Sequence, residues 1–459
     1  MAEAPARAAT LEPVRDALYP ASQPASPAPW PAVHLSYDGA FARAGLVLAF
    51  AVAILARLYR LGDIPLGLHP AEEAFRQTAS AVIHQGWAGL WSEATLGQPV
   101  GFAYWLAGLT YVLGDSPAAV RLLSAWVGLA TLGMFYLFCR SLFGTRAALL
   151  GSMLLALCTW HLGYSRLALP VTSLLLLELV TLYLLMLAFG ERGATTRRKR
   201  LFVLAGLSFG AAAYTHNAFF IFAAVVIALW VRELLSGRHP LAALSRSSLM
   251  FFITALIVAL PYLASLAGSW GQVVDEVRAI DVSSSPGYQD VRGVTEHTRY
   301  VLGNVGGTAM ALLWRPGMAE GEEGSGRRIL DPATALLAVL GLAVALYGWR
   351  ERRHALILII AAMVVVAVGL TREPGMYGRL IVALPAVFAA AGVALDRVLV
   401  WMTGRVPRSN VYAVYAVLVA FVAVYNLLSY FGSPVGPGDG LWAQAAGHEG
   451  PAGLASNIR

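Results

Sequence analysis

Charged side chains are scarce in this chain. Only 13% of its 459 residues are charged, whereas 58% are hydrophobic, and the mean hydropathy is +0.65. Soluble domains carry about 25% charged residues, so this composition excludes an ordinary soluble protein and predicts an all-α polytopic membrane protein. Cysteine is scarcer still. Because Cys139 and Cys158 both lie in or beside apolar stretches, we expect neither a disulfide framework nor a cysteine metal cluster.

The motifs of several enzyme classes are missing as well. The sequence has no P-loop, no dinucleotide-binding glycine pattern, no zinc motif and no nucleophile elbow. Nucleotide-driven chemistry is therefore unsupported. The sequence pI near 9.5 does not indicate nucleic-acid binding, because the arginines cluster in short loops between apolar segments, where they orient membrane helices.

Apolar segments of membrane-spanning length make up most of the chain. A span needs about 20 apolar residues. The shorter apolar stretch 100–113 is rich in aromatic residues, and we expect it to form a helix on the membrane surface. We predict eleven spans, near residues 44–61, 119–139, 147–163, 167–189, 201–216, 218–235, 248–268, 332–349, 355–370, 379–400 and 410–430.

The arginine clusters predict how these spans are oriented. They fall in every second loop, and short loops rich in arginine stay on the cytoplasmic side. The N-terminus is then cytoplasmic, and two long segments, 62–118 and 269–331, lie on the outer side. The Ala/Pro-rich residues 1–43 are predicted to form a disordered cytoplasmic tail, and residues 431–459 an outer C-terminal tail.

Two adjacent acids, Glu72 and Glu73, directly follow the first predicted span. An acid at a membrane boundary is costly unless water, a partner or a substrate compensates it, so both are candidate catalytic residues. They could act as a general base or as a metal-coordinating pair. The alternative is structural, since acids that follow Pro70 also suit the first turn of a helix.

Other polar residues on the predicted outer side are candidates for binding a substrate or a lipid phosphate. Arg166 and Arg379 lie at outer helix ends, where guanidinium groups could hold a phosphate or extend to lipid headgroups. His216 lies at a tight outer turn and is either a ligand-binding residue or a polar hairpin tip. His69, just before the acidic pair, is a further candidate for binding.

Glu178 is the one clear acid in the middle of a predicted span. Such an acid could mark a transport path. Transporters, however, commonly show paired broken helices in related halves, and no such repeat is visible here. We therefore expect Glu178 to pair with a neighbouring helix.

The second long outer segment, 269–331, is too long for a structureless connection. Segments of this kind are often lids or binding loops, so we expect it to help bind an acceptor. It carries a glycine-rich stretch, several aromatic residues and a series of acids that includes Asp275, Glu276, Asp281, Asp290 and Glu296.

A series of short motifs resembles the GT-C glycosyltransferases, in particular bacterial members of the protein O-mannosyltransferase and aminoarabinose transferase group (family 39-like). The resemblance covers about residues 44–430, which would form one GT-C-like transmembrane domain. Its carriers, in order, are Gly67-Leu-His-Pro-Ala-Glu72, Gln98-Pro99 with Tyr104-Trp105, Ser116-Pro117 with Arg121-Leu122, Arg140-Ser-Leu-Phe-Gly-Thr-Arg146, Trp160-His161 with Ser165-Arg166, Gly206 with Tyr214, Arg328-Ile-Leu-Asp-Pro332, and Arg379-Leu380 with Leu384-Pro385.

The resemblance implies about eleven transmembrane helices with interfacial helices in the first outer loop, in a bacterial inner (plasma) membrane. It also implies an extracytoplasmic active site in the cell envelope, a polyprenyl-phosphate-linked sugar donor, and inversion at the anomeric carbon. The acceptor could be a protein, a lipid or a glycan, and membrane lipids are further partners, but nucleic acid is not. No cofactor is certain, and a divalent cation is left open.

One departure from the family pattern concerns the predicted base. Where the family usually has an Asp in the first outer loop, this chain has Ala71. Either Glu72 or Glu73 replaces that Asp, or the chain has lost its base and is a catalytically silent binding or assembly subunit of a membrane complex. Because displacing a catalytic atom by about 1 Å can cost on the order of 100-fold in rate, both alternatives stay open.

Overall fold

The protein is helical throughout the part of the chain that the structure, a computed structural model, describes, namely residues 39–191, 195–237, 241–314, 328–373 and 376–431. No strand occurs in these ranges, and the all-α prediction is confirmed. The helices are α1 (Gly39–Leu58), α2 (Pro70–Gln85), α3 (Gly101–Leu113), α4 (Pro117–Phe143), α5 (Thr145–Leu157), α6 (Thr159–Ser165), α7 (Val171–Gly190), α8 (Thr196–Ala212), α9 (Phe219–Leu235), α10 (Leu241–Gly268), α11 (Trp270–Ile280), α12 (Pro286–Gln289), α13 (Val294–Leu313), α14 (Pro332–Tyr347), α15 (Arg352–Gly369), α16 (Tyr377–Leu380), α17 (Leu384–Thr403) and α18 (Arg408–Phe431).

A helix lies at each of the eleven predicted spans. Within the described ranges, six helices are long and apolar enough to cross a membrane, and α5 with α6 makes a seventh if this pair, bent by 63°, counts as one span. The polytopic membrane fold is thus confirmed, whereas the number of eleven crossings stays a prediction.

Side chains that cap helix starts explain where two of the predicted spans begin. The sequences Ser116-Pro117 and Asp331-Pro332 each place a capping residue before a proline that suits the first helical position. Ser116 Oγ accepts a hydrogen bond from the Ala119 N–H at 3.2 Å, and Asp331 Oδ1 accepts one from the Thr334 N–H at 2.9 Å. Both helices therefore begin at residues that the sequence specifies locally.

Helix α17 forms the centre of the bundle. Every residue from Leu384 to Leu395 is buried, and the helix packs mainly against α14 and α5. This packing needs small residues, because a methyl group added at Gly392 would lie 2.4 Å from the Ala147 carbonyl oxygen.

The two long predicted outer segments contain helices rather than extended loops. The first holds α2 and α3, and α3 matches the apolar stretch predicted to lie on the membrane surface. The second holds α11, α12 and α13. Residues 315–327 with the glycine-rich stretch, residues 1–38 of the predicted N-terminal tail and residues 432–459 of the C-terminal tail lie outside the described residues.

Candidate functional site

A cavity of about 620 Å³ lies where the start of α2 meets several later segments. Its walls come from the turn before α3, the connection between α6 and α7, the start of α9, and helices α10, α11, α15 and α16. Most of the lining is apolar. The polar side chains that line it are His69, Thr95, Gln98, His216, Asn217, Tyr262, Glu276, Thr371 and Arg379.

Hydrogen bonds through Asn217 join two walls of this cavity. The Asn217 Nδ2 group donates to the Gly97 carbonyl at 2.9 Å, and its backbone N–H donates to Gln98 Oε1 at 3.0 Å. The Trp91 indole N–H also donates to the Gly97 carbonyl, at 3.0 Å. Beside Asn217, the His216 Nδ1 atom accepts from the Ala218 N–H at 3.0 Å. The position of the His216 ring is thus set by the turn that starts α9.

Glu276 brings a carboxylate into the cavity from α11. This helix has no buried residue, yet Val273, Glu276, Val277 and Ile280 share one face and all line the cavity. The Glu276 carboxylate reaches the turn at Gly97, where an added methyl group would lie 1.9 Å from Glu276 Oε2. Gly97 also has a φ of +67°, so both its backbone and its surroundings require glycine there.

Two neighbouring charges act on Glu276 in opposite directions. Burial raises the pKa of the Glu276 carboxyl above its ordinary value, and the like charge of Glu93 raises the pKa further. The Arg379 guanidinium lowers the pKa. The cavity therefore holds a carboxyl group that binds a proton more readily than a free glutamate does, close to a permanent positive charge.

His69 and Ala71 also line the cavity, and their positions follow from the capping of α2. The His69 Nδ1 atom accepts from the Ala71 N–H at 3.1 Å, while the His69 N–H donates to Glu72 Oε2 at 2.9 Å. This reciprocal arrangement is a capping box, with histidine in the place of the usual serine or threonine. Ala71, where the sequence resemblance leads us to expect an Asp, thus contributes to the wall only a methyl group.

Glu72, by contrast, does not line the cavity. It is fully buried and forms a bidentate ion pair with Arg121, with Nε to Oε1 at 2.9 Å and Nη2 to Oε2 at 3.0 Å. The Ala168 N–H donates to Oε1 at 2.9 Å, and the His69 N–H donates to Oε2. Each carboxylate oxygen accepts two hydrogen bonds, so Glu72 has no lone pair left to take a proton from an acceptor.

Glu73 lies outside the cavity lining and faces its own helix. Its carboxylate pairs with Arg76 at 2.6 Å and accepts from Gln77 Nε2 at 2.8 Å. The hydrogen bond from Arg76 lowers the pKa of the Glu73 carboxyl, against the opposing effect of its partial burial. This geometry matches the structural alternative given by the sequence, in which Glu73 is an acid in the first turn of a helix.

Arg166 binds the backbone rather than lining the cavity. Its guanidinium is buried and donates to carbonyl oxygens of the chain that leaves α1, at 2.8 to 3.3 Å. The rings of Tyr430 and Phe431 lie 5.5 and 5.2 Å from its central carbon. The carbonyls belong to Ala56, Arg57, Tyr59, Arg60 and Ile64.

Of the six predicted site residues, the structure thus brings together His69, His216 and Arg379. It places Glu72, Glu73 and Arg166 in structural contacts, and their catalytic and phosphate-binding roles stay predictions. Glu276 was not singled out among the acids of its segment. The signal that could have identified it is the apolar spacing around it at positions 273, 277 and 280, which puts Glu276 on the packed face of a helix.

Two other sequence-based expectations concern acids and metals. Glu178 is fully buried in α7, and its carboxylate oxygens accept no hydrogen bond within the described ranges, so the pairing expected for it is not observed. In the same ranges, no three His, Cys, Asp or Glu side chains are grouped as metal ligands. Participation of a divalent cation stays a prediction.

Comparison with known proteins identifies the fold. Residues 97–258 match the family described as dolichyl-phosphate-mannose-protein mannosyltransferase. The oligosaccharyltransferase AglB from Archaeoglobus fulgidus, solved with an inhibitory peptide and a dolichol-phosphate, superimposes with a TM-score of 0.57 at 15% identity, over 84% of this chain and 55% of AglB. This chain has the fold of the GT-C membrane glycosyltransferases.

A second GT-C protein gives a similar match. ArnT from Cupriavidus metallidurans aligns with 86% of this chain and 71% of its own at 16% identity, with TM-scores of 0.53 in the apo state and 0.54 with bound undecaprenyl phosphate. No curated protein sequence matches significantly. The chain spans just over half the length of AglB, and the resemblance to the GT-C group predicted from the sequence is confirmed at the level of the fold.

The structural role of Glu72 can be tested by substitution. We expect Glu72→Gln to lower the free energy of unfolding by about 3 kcal/mol, because it leaves the Arg121 charge buried without a counter-ion. Thermal unfolding in detergent measures this. Glu73→Gln is the matched control, since its ion pair is partly exposed and contributes at most about 1 kcal/mol. Equal effects of the two substitutions would contradict the structural role of Glu72.

Proposed function

We propose that this protein is a membrane glycosyltransferase that moves a sugar from a polyprenyl-phosphate-linked donor to an acceptor on the extracytoplasmic face of a bacterial plasma membrane. The observation that carries the proposal is the cavity in which Glu276 and Arg379 interact. One group suits removal of a proton from an acceptor, and the other suits a phosphate leaving group.

In this reaction the acceptor oxygen or nitrogen attacks the anomeric carbon of the sugar while Glu276 takes up the acceptor proton. The bond between the anomeric carbon and the phosphate oxygen breaks, and the polyprenyl phosphate leaves with the electron pair. The Arg379 guanidinium stabilises the charge that develops on this phosphate. Attack opposite the leaving group inverts the configuration at the anomeric carbon.

The fold and the chemistry of the cavity lining support a lipid-linked donor. AglB and ArnT share the fold, and their structures hold a dolichol-phosphate and undecaprenyl phosphate, respectively. The cavity is lined mostly by apolar side chains, with polar groups at only a few places. Such a surface suits the prenyl end of a donor beside its phosphate, as in other largely apolar ligand sites. In this proposal α11 also helps to bind the acceptor.

The assignment of Glu276 as the base can be tested by amide substitution. We expect Glu276→Gln to lower sugar transfer from a polyprenyl-phosphate-linked donor in membranes by on the order of 10²–10⁴-fold, the usual contribution of a general base. Asp275→Asn is the matched control, because Asp275 is the adjacent acid on the exposed face of α11. Full turnover in Glu276→Gln would refute the assignment.

The pH dependence of transfer provides a second test. A base must be ionised, so we expect the rate to fall as the pH drops through a pKa above the ordinary glutamate value of about 4.3. Since Glu93 raises the pKa of Glu276, Glu93→Gln should move this fall to lower pH. The exposed acid Glu296 serves as a control. An unchanged pH profile in Glu93→Gln, or the same shift in Glu296→Gln, would contradict the predicted coupling.

A catalytically silent binding or assembly subunit is the second candidate function. Ala71 favours it, because a methyl group lines the cavity where the family pattern has an Asp. This alternative predicts no transfer by the wild type and a stable stoichiometric partner that purifies without polyprenyl lipid. Measurable wild-type transfer would exclude it. If transfer occurs, a further rise in Ala71→Asp would show that the position still faces the reacting groups.

A further inference from the structure

A second cavity, of about 370 Å³, lies at the far ends of two helices that also reach the first cavity. Helix α7 contributes Val171 to the first cavity and Leu187 to the second, and α15 contributes Ala367 and Arg352. Sixteen residue steps along α7 correspond to roughly 24 Å at 1.5 Å per residue, which is comparable with the hydrocarbon core of a bilayer at about 30 Å. The two cavities therefore lie about a membrane thickness apart.

Positive charge exceeds negative charge around this second cavity. Two guanidinium groups, those of Arg232 and Arg352, contact one buried carboxylate, that of Glu233. A third arginine at this cavity, Arg353, pairs with Glu351, and both of these side chains are about half exposed. Three arginines thus face two acids, which leaves a net charge of +1. The start of α15, formed by the same residues, adds positive potential.

These ion pairs occupy only some of the N–H groups of Arg352 and Arg353. Arg352 directs Nε and Nη2 to Glu233 at 3.0 and 2.8 Å, and its Nη1 group donates to no acceptor in the described part of the chain. Arg353 donates from Nε to Glu351 at 2.7 Å and from Nη1 to the Leu142 carbonyl at 3.4 Å. Guanidinium groups with spare donors at a cavity wall suit a phosphate group.

The remaining lining points to a lipid phosphate rather than a free one. Leu142, Met186 and Leu187 form the apolar part of the wall, at the end of a membrane-length helix. A phosphate held by arginine at this depth would place acyl chains along these side chains. Basic pockets between helices at a membrane surface bind anionic headgroups in this way.

We infer that the cavity formed by the ends of α4 and α7 and the start of α15 binds the phosphate headgroup of an anionic phospholipid. Arg352 and Arg353 hold the phosphate, and Met186 and Leu187 contact the acyl chains. This site lies at the opposite end of the bundle from the catalytic cavity. The inference does not depend on the proposed reaction, because it concerns the binding of a phospholipid and not the transfer of a sugar.

The full chain in nanodiscs provides the test. We expect phosphatidylglycerol to raise the unfolding temperature by several degrees over phosphatidylcholine alone, since a ligand that binds only the folded state stabilises it. We also expect native mass spectrometry to detect retained phosphatidylglycerol. Arg353→Gln should lose most of the temperature shift and most of the retained lipid. Arg352→Lys, which keeps the charge but not the planar donor array, should lose part of both.

Arg405→Gln is the matched control. Like Arg353, Arg405 is exposed, lies over an aromatic ring and donates to a backbone carbonyl, but it does not line the cavity. Equal effects of phosphatidylglycerol and phosphatidylcholine on the wild type, or equal losses in Arg353→Gln and Arg405→Gln, would overturn the inference. Stabilisation by inorganic phosphate in phosphatidylcholine discs, with no further gain from phosphatidylglycerol, would show a free-anion site and also overturn it.

Discussion

The buried ion pair between Glu72 and Arg121 is the contact on which the walls of the cavity lined by Glu276 and Arg379 depend. It fixes the first turn of α2 against α4, and the Ala168 N–H adds the connection before α7 to the same carboxylate. Arg121 also donates to the carbonyls of Leu61 and Pro65, so the chain between α1 and α2 folds around its guanidinium. Burying two charged groups costs free energy. Here the hydrogen bonds made by both the Glu72 carboxylate and the Arg121 guanidinium offset that cost.

Arginine therefore has two different roles at this end of the bundle. Arg121 and Arg166 satisfy the carbonyls of a segment that is not helical, where few backbone groups can find partners within a helix. Arg379, by contrast, lines the cavity beside Glu276. The first role requires burial among fixed acceptors, whereas Arg379 lies in the wall of an open cavity.

Sequence patterns specify the helices of this protein more directly than its chemistry. Apolar length predicts a membrane helix because lipid imposes one solution on the backbone, and a helix does lie at each of the eleven predicted spans. A carboxylate at the third position of a helix, such as Glu72, suits both a capping box and a catalytic role. The sequence alone does not specify whether this side chain faces the bundle interior or a cavity. His69, His216 and Arg379 do line one cavity, and each lies at or near the start of a helix on the predicted outer side, while their binding roles stay predictions.

Glu276 illustrates why the remaining part of the site could not be predicted. It is one of nine acids in a segment of more than sixty residues, and its place in the cavity depends on α11 packing against Gly97. These residues lie far apart in sequence, and no local pattern encodes their contact.

The backbone contacts of Arg166 impose an order on biosynthesis. The carbonyls that it binds belong to residues 56 to 64, about a hundred residues earlier in the chain, so these contacts at the end of α1 form only after Arg166 has been synthesised. A later contact closes the same region, because Asn426 of the last helix accepts from Thr159 Oγ1 at 2.7 Å and donates to Asp331 Oδ2 at 3.1 Å. Until α18 has been synthesised, Thr159 and Asp331 lack these hydrogen bonds to Asn426. Helix α18, the least buried of the six membrane-length helices in the described ranges, thus supplies a buried amide that links α6 to the start of α14.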